Sequence, residues 1–198
     1  MRSGLRLICT IAYLISGCAL TTDNITLVYE PQPNVTRLVG ANDAKVAVDM
    51  FDLRKMKDRV SVKKNGYGME MAPIVADNSV TALITKAIET ELVNRGFVLG
   101  AGAARLVVEL QNFYNDFKSG FWSGMAEAQV VMNTQVKNSS GNILFSKLVV
   151  GNGNYPGVQL ASGENAKVSL EQALSDAISN LFADSSLLTA IMQAARSP

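Results

Sequence analysis

Histidine is absent from this chain, and its 198 residues hold only two cysteines, one tryptophan and five prolines. Without an imidazole, Ser-His-Asp and Cys-His nucleophile systems are excluded, and so are zinc sites that depend on histidine. Both cysteines fall within the first eighteen positions, so no disulfide staples the rest and the fold must rest on its core. Charge of one sign is also missing: 18 basic against 17 acidic residues leave a formal +1, which gives no field to gather nucleic acid. At 48% hydrophobic the chain can bury the core of one compact domain.

What is present at the N-terminus is a short apolar run, Leu7 to Ile15, preceded by Arg2 and Arg6 and followed by Ser16, Gly17 and Cys18. Basic start, apolar centre and small residues before a cut are the layout of an export signal. Nine residues are too few to span a bilayer, which needs about 20 in a helix. Leu14-Ile15-Ser16-Gly17-Cys18 resembles the processing site of bacterial lipoproteins, with cleavage between Gly17 and Cys18. There the Cys sulfur is alkylated by a diacylglycerol before the cut, and the freed amine commonly takes a third chain. Two or more chains make the anchor persistent where one would be marginal. An Asp after the Cys resembles an inner-membrane retention signal; Ala19 stands there, so the expected address is the outer membrane with the domain facing the periplasm. Removing residues 1–17 leaves 16 basic against 17 acidic residues, a formal charge of −1.

The chain therefore divides into a signal at 1–17, a lipid-anchored polar tether at 18–42 and a folded domain at 43–198. Pro31 and Pro33 bias the tether toward extended backbone, which would lift the domain off the bilayer, and Ile25–Tyr29 has room for a short strand within it.

In the domain, Val46, Val48 and Met50 alternate as a strand within Ala44–Leu53. Arg59–Met71 reads as a hairpin turning at Asn65-Gly66. Val80, Leu83, Ile84, Ala87, Ile88 and Leu92 follow helical spacing, broken only by Glu91, with Asp77 or Ser79 as cap and Gly96 as stop. Leu106, Val108 and Leu110 begin a strand; Ala126–Lys137 alternates clearly, and Ile143–Val150 follows a turn at 138–142. Leu170, Ala173, Leu174, Ala177, Ile178, Leu181 and Phe182 form an unbroken helical stripe, and Leu187–Ala195 adds a short helix. Strands with one wet face and helices with one apolar stripe predict an α+β fold, a two-layer sandwich whose antiparallel sheet carries two main helices on one face.

The lipoprotein-type processing site, the strand with Val46 and Val48, the hairpin, the helix ending Asn94-Arg95-Gly96-Phe97-Val98-Leu99-Gly100, the strand meander and the late helix together resemble the YajG family of bacterial lipoproteins. The helix exit Arg95-Gly96-Phe97 is the most specific piece. The resemblance implies an outer-membrane lipoprotein without assigned activity; it offers no catalytic residues and no cofactor.

Two stretches are candidate contacts with an envelope protein or peptidoglycan. Arg54, Lys55, Lys57, Arg59, Lys63 and Lys64 crowd the first hairpin, where they would meet anionic groups or simply protect a strand edge. Phe113-Tyr114 through Phe117 to Gly120-Phe121-Trp122-Ser123-Gly124 reads as an aromatic loop flanked by glycine, suited to a partner or glycan or to packing over the open end of the sheet. The expected function is tethered, non-catalytic binding or scaffolding. The alternatives are a carboxylate-dependent glycan hydrolase using Asp49 and Asp52 or Glu89 and Glu91, and a structural subunit self-assembling through strand edges or the C-terminal helix. Gly151-Asn152-Gly153-Asn154-Tyr155-Pro156-Gly157 lacks the spacing of a phosphate loop and reads as a flexible turn.

Overall fold

The computed structural model describes residues 20–118 and 123–196. Its strands are β1 Asp23–Ile25, β2 Lys45–Asp52, β3 Ser61–Lys64, β4 Glu70–Ala76, β5 Val98–Leu99, β6 Ala104–Lys118, β7 Gly124–Lys137 and β8 Ile143–Val158. Its helices are α1 Val80–Asn94, α2 Gly163–Phe182 and α3 Ser185–Arg196. A five-stranded sheet runs β5-β2-β6-β7-β8 and a three-stranded one β1-β4-β3. The α+β class and the layering of helices on one sheet face are as the periodicities imply. One pairing differs from an all-antiparallel sheet: β2 runs parallel to both β5 and β6. The connections explain it, because the β3–β4 hairpin and α1 separate β2 from its neighbours, and a parallel pair requires such a crossover.

The inner face of the large sheet presents Val46, Leu106, Val108, Leu110, Val130 and Met132 to α2 and its apolar stripe, with α1 over β2 and α3 closing the far corner. Two features let α2 sit close. Gly151 and Gly153 occupy the inner positions of β8, where an added Cβ would lie 2.2 Å from the Ala173 carbonyl and 1.9 Å from that of Ser169. The glycine-rich stretch is thus strand rather than flexible turn through Val158. The second feature is a buried polar knot: the Asn115 amide donates to Ser61 Oγ, 2.9 Å, and its Oδ1 accepts from Ser169 Oγ, 2.7 Å, tying β6 to β3 and α2.

A bulge at Gln111 changes the parity of β6. Before it the even residues through Leu110 point inward; after it Phe113, Asn115 and Phe117 do. The hairpin turn also departs from its expectation. Its left-handed residue is Gly68, φ 79°, in a five-residue loop where Asn65 Oδ1 accepts from the Tyr67 and Met69 amides. Ser79 caps α1 and Gly96, φ 98°, terminates it, both as the sequence indicates.

The expected tether is the main correction. From Asp23 onward, residues assigned to the spacer 18–42 are part of the fold: Ile25 and Leu27 are buried, and β1 pairs parallel to β4. Asn78 accepts from the Leu27 amide, 3.0 Å, and donates to its carbonyl, 2.9 Å. Glu91, the polar break in the α1 stripe, is fully buried and accepts from Tyr29 Oη, 2.8 Å, the Gln32 amide, 2.9 Å, and Arg95. Arg95 donates to Gln32 Oε1, 2.7 Å, and lies 4.4 Å over the Phe182 ring. Burial, with the bond to Glu91, pushes the Tyr29 phenol well above its ordinary range. The partners of this segment lie more than fifty positions away in sequence, and the chain turns at Pro33-Asn34, where Asn34 takes φ 57°, instead of running extended through both prolines.

Candidate functional site

β2 ends at Asp52, and the chain that follows it folds over β6 at the bulge. The Leu53 amide donates to the Leu110 carbonyl, 2.9 Å, and the Asn115 amide to that of Val60, 2.9 Å. Bulges re-aim side chains. Here the result is a concave region on the outer side of the sheet. Leu53, Lys55, Met56, Asn112, Tyr114 and Val131 line a cleft of about 580 Å³. Asn112 and Tyr114 also line an adjoining one of about 430 Å³ with Asp116, Glu127, Gln129, Asn152 and Asn154. Both volumes fall in the range of ligand clefts.

The strand register arranges the second cleft in rows. Tyr114, Gln129 and Asn152 stand side by side across β6, β7 and β8, and Asp116, Glu127 and Asn154 form the next row. Gly151 and Gly153 alternate with Asn152 and Asn154, so one dipeptide repeat serves the helix on the inside and the cleft on the outside. Neighbouring carboxylates are stabilised by cations: Asp116 is bonded by Lys118, 2.6 Å, and by Lys64. Burial pushes the Asp116 carboxyl up, but the hydrogen bonds from Lys118 and Lys64 outweigh it and hold it below its ordinary value. Burial raises the Tyr114 phenol.

The basic stretch is dispersed. Arg54 is buried and grips Asp52 through Nε, 2.9 Å, and Nη2, 2.8 Å; Lys57 donates to the Asp52 carbonyl, 2.7 Å. Arg59 reaches Met56 Sδ, 3.7 Å. Lys63 is buried on Asp23, 2.6 Å, and Lys64 is on Asp116. Lys55 is exposed at the first cleft, while Arg54, Lys57 and Arg59 also line a third, of about 360 Å³, at the start of α1. The six residues therefore form no single basic patch: Asp52, Asp23 and Asp116 engage Arg54, Lys63 and Lys64, and Lys57 and Arg59 stay with Arg54 at the third cleft. Gly17, Cys18, Phe121 and Trp122 lie outside the described residues.

The hydrogen bonds from Arg54 hold the Asp52 carboxyl below its ordinary value. A depressed carboxylate contributes stability above its unfolded pKa that is lost as pH falls through the folded one. Acid unfolding should accordingly begin below about pH 4 and lose part of its pH dependence in Asp52→Asn, measured by denaturant titration across that range.

Among the described residues no three carboxylates converge as metal ligands. The site holds amides, a phenol, paired carboxylates and an apolar wall. Such a set forms hydrogen bonds and excludes water, and its Asp116 carboxyl is held below its ordinary value by Lys118 and Lys64. Asn112, Gln129, Asn152 and Asn154 are absent from the sequence-based candidates; Tyr114 belongs to the aromatic stretch, which through Lys118 is strand and not loop. Period-two asparagines opposite glycines were their signal.

A profile described as uncharacterised lipoprotein matches residues 31–192. The chain belongs to that lipoprotein family. No curated protein matches it. Among solved structures, a Xanthomonas campestris protein of family DUF330 is similar over 87% of this chain and 96% of its own, at 13% identity and a TM-score of 0.60. A minor lipoprotein of Acinetobacter baumannii is similar over 74% and 94%, at 9% identity and 0.47. A Caulobacter crescentus protein follows at 80% and 96%, 13% identity and 0.45. At such identities the Xanthomonas likeness establishes the shared fold alone. For this family member, no described helix is long and apolar enough to cross a membrane.

Proposed function

We propose that the protein is a lipid-anchored, non-catalytic binding lipoprotein of the YajG kind, held at the outer membrane through Cys18 with its domain in the periplasm. Its partner is an envelope protein, met by the concave outer face at the β6 bulge. The observation that carries this reading is that face: an apolar wall of Leu53, Met56 and Val131 beside rows of amide side chains. Mixed apolar and hydrogen-bonding surface is what protein interfaces offer.

The alternatives lose support on specific grounds. Asp49 is engaged by Arg105, 2.8 Å, and Asp52 by Arg54, while β2 alternation sends these two carboxylates to opposite sheet faces. Glu91 is buried on Arg95, away from surface Glu89. A glycan hydrolase needs two carboxyls across one cleft, which neither of these pairs supplies; Asp116 and Glu127 do share one, but Lys118 and Lys64 hold the Asp116 carboxyl below its ordinary value. Self-assembly along β8 meets a covered edge: the Asn152 amide donates to Asp176, 2.9 Å, and Asn180 donates to the Val150 carbonyl, 3.0 Å. The apolar face of α3 is buried under Leu187, Ala190, Ile191 and Ala194.

Cys18→Ser should release the protein from the membrane fraction and abolish the acylated N-terminal peptide; unchanged retention and mass would remove the anchor. A photocrosslinking residue at Gln129 should capture one dominant envelope protein in cells, whereas one at Lys86, on the surface of α1, should not. Equal, diffuse labelling from both sites would remove the binding face.

A further inference from the structure

The leash between anchor and fold is far shorter than the sequence suggests. Only five residue steps separate Cys18 from Asp23, which is locked in place. Its backbone pairs with Ile74, Oδ2 accepts from the Gly163 amide, 2.8 Å, and Oδ1 takes Lys63 Nζ, 2.6 Å. At about 3.6 Å per extended residue, the acylated end lies no more than roughly 18 Å from this pin. By contrast, the large sheet extends about 40 Å, at about 3.3 Å per residue, from the Lys118 row to the Arg105 row. A domain on so short a leash keeps one end at the bilayer.

The direction of the chain identifies that end. β1 runs parallel to β4, so residues preceding Asp23 head back toward the β3–β4 hairpin tip. There Tyr67 is 92% exposed and Met69 57%. Leu160, 65% exposed, precedes the Ser162 cap of α2, whose first residue is Gly163 against Asp23. Leu20, 64% exposed, lies in the leash itself. Four large apolar side chains are therefore held in water around the point where the anchor enters.

We propose that this end, formed by the hairpin tip, the start of α2 and Leu20, docks on the bilayer that holds the anchor, with Tyr67, Met69 and Leu160 at the headgroup boundary. This rests on the lipid-anchor reading above. The occupant is lipid because the leash brings the headgroups to these residues before any other partner. Tyrosine suits the position, with an apolar ring and a hydroxyl that stays wet. Docking would stand the sheet on end and turn the β7–β8 turn at 138–142 away from the membrane.

The test uses the full-length acylated lipoprotein in vesicles of phosphatidylethanolamine and phosphatidylglycerol in equal amounts. Cys18 is the sole mature cysteine and is blocked by acylation, so an introduced cysteine takes one fluorophore. Labels at Tyr67→Cys and Leu160→Cys should be quenched by headgroup-nitroxide lipid several-fold more than one at Ser140→Cys. Equal quenching at all three sites, with flotation and an acylated Cys18 peptide intact, overturns the docking and leaves the anchor standing. An unmodified N-terminus without flotation overturns both. All three sites are exposed, so the fold tolerates the labels.

Discussion

Gly153→Ala should be among the most damaging single changes in the chain, removing at least about 4 kcal/mol of stability. The new methyl would stand 1.9 Å from the Ser169 carbonyl and 2.7 Å from the Ala173 amide, both backbone atoms of α2. A flexible side chain would swing aside; a helix backbone must move as a body. Lifting α2 opens the core beneath Leu170, Ala173, Leu174 and Ala177, each buried. At about 2 to 4 °C per kcal/mol for a domain of this size, the melting temperature should fall by roughly 10 °C or more. Gly66→Ala is the control: nothing lies within 4 Å of its Cβ position and its φ is not left-handed, so its effect should stay within about 0.5 kcal/mol. Equal melting temperatures for Gly153→Ala and Gly66→Ala would mean that α2 does not sit on β8 at this distance.

Glu91→Gln should cost about 3 to 5 kcal/mol, the usual loss when one partner of a buried ion pair is removed and the other is left uncompensated. Glu91 has no exposed surface and Arg95 is 7% exposed, so solvent cannot replace the lost charge. The effect should have a local signature. Tyr29, Gln32 and Leu38 all hang on this pair or its backbone, so residues 29–38 should become open to protease before the rest of the domain. The double change Glu91→Leu with Arg95→Met should be less destabilised than the sum of the two single changes, since no charge is then left buried. Strict additivity would show that the pair does not couple.

The legible parts of this fold are those in which one face is apolar and the period never slips. The α1 and α2 stripes, the β7 alternation and the Ser79 and Gly96 ends are local properties, and the structure keeps them. The alternation of β6 is legible only through Leu110, because the bulge at Gln111 moves the inward positions from even to odd and breaks a period-two pattern in the middle of one strand. The signal of β8 stops at Val150 because glycine at inner positions carries no hydrophobic mark; the helix backbone, not a side chain, fills that space. The concave site combines these two blind spots, with Asn112 and Tyr114 just past the bulge and Asn152 and Asn154 between the glycines.

By itself the sequence determines the candidate anchor at Cys18, the α+β class and the exclusion of histidine chemistry, since each depends on residue identity or on spacing within a few turns. Only the tertiary structure decides that residues from Asp23 belong to the domain, that the basic stretch is divided among acidic partners, and that Glu91 is structural. Each of those outcomes depends on charges and hydrogen-bonding groups from distant segments meeting in low dielectric. Such pairing leaves no periodic trace along the chain, because its energy depends on distance in space and not on separation in sequence.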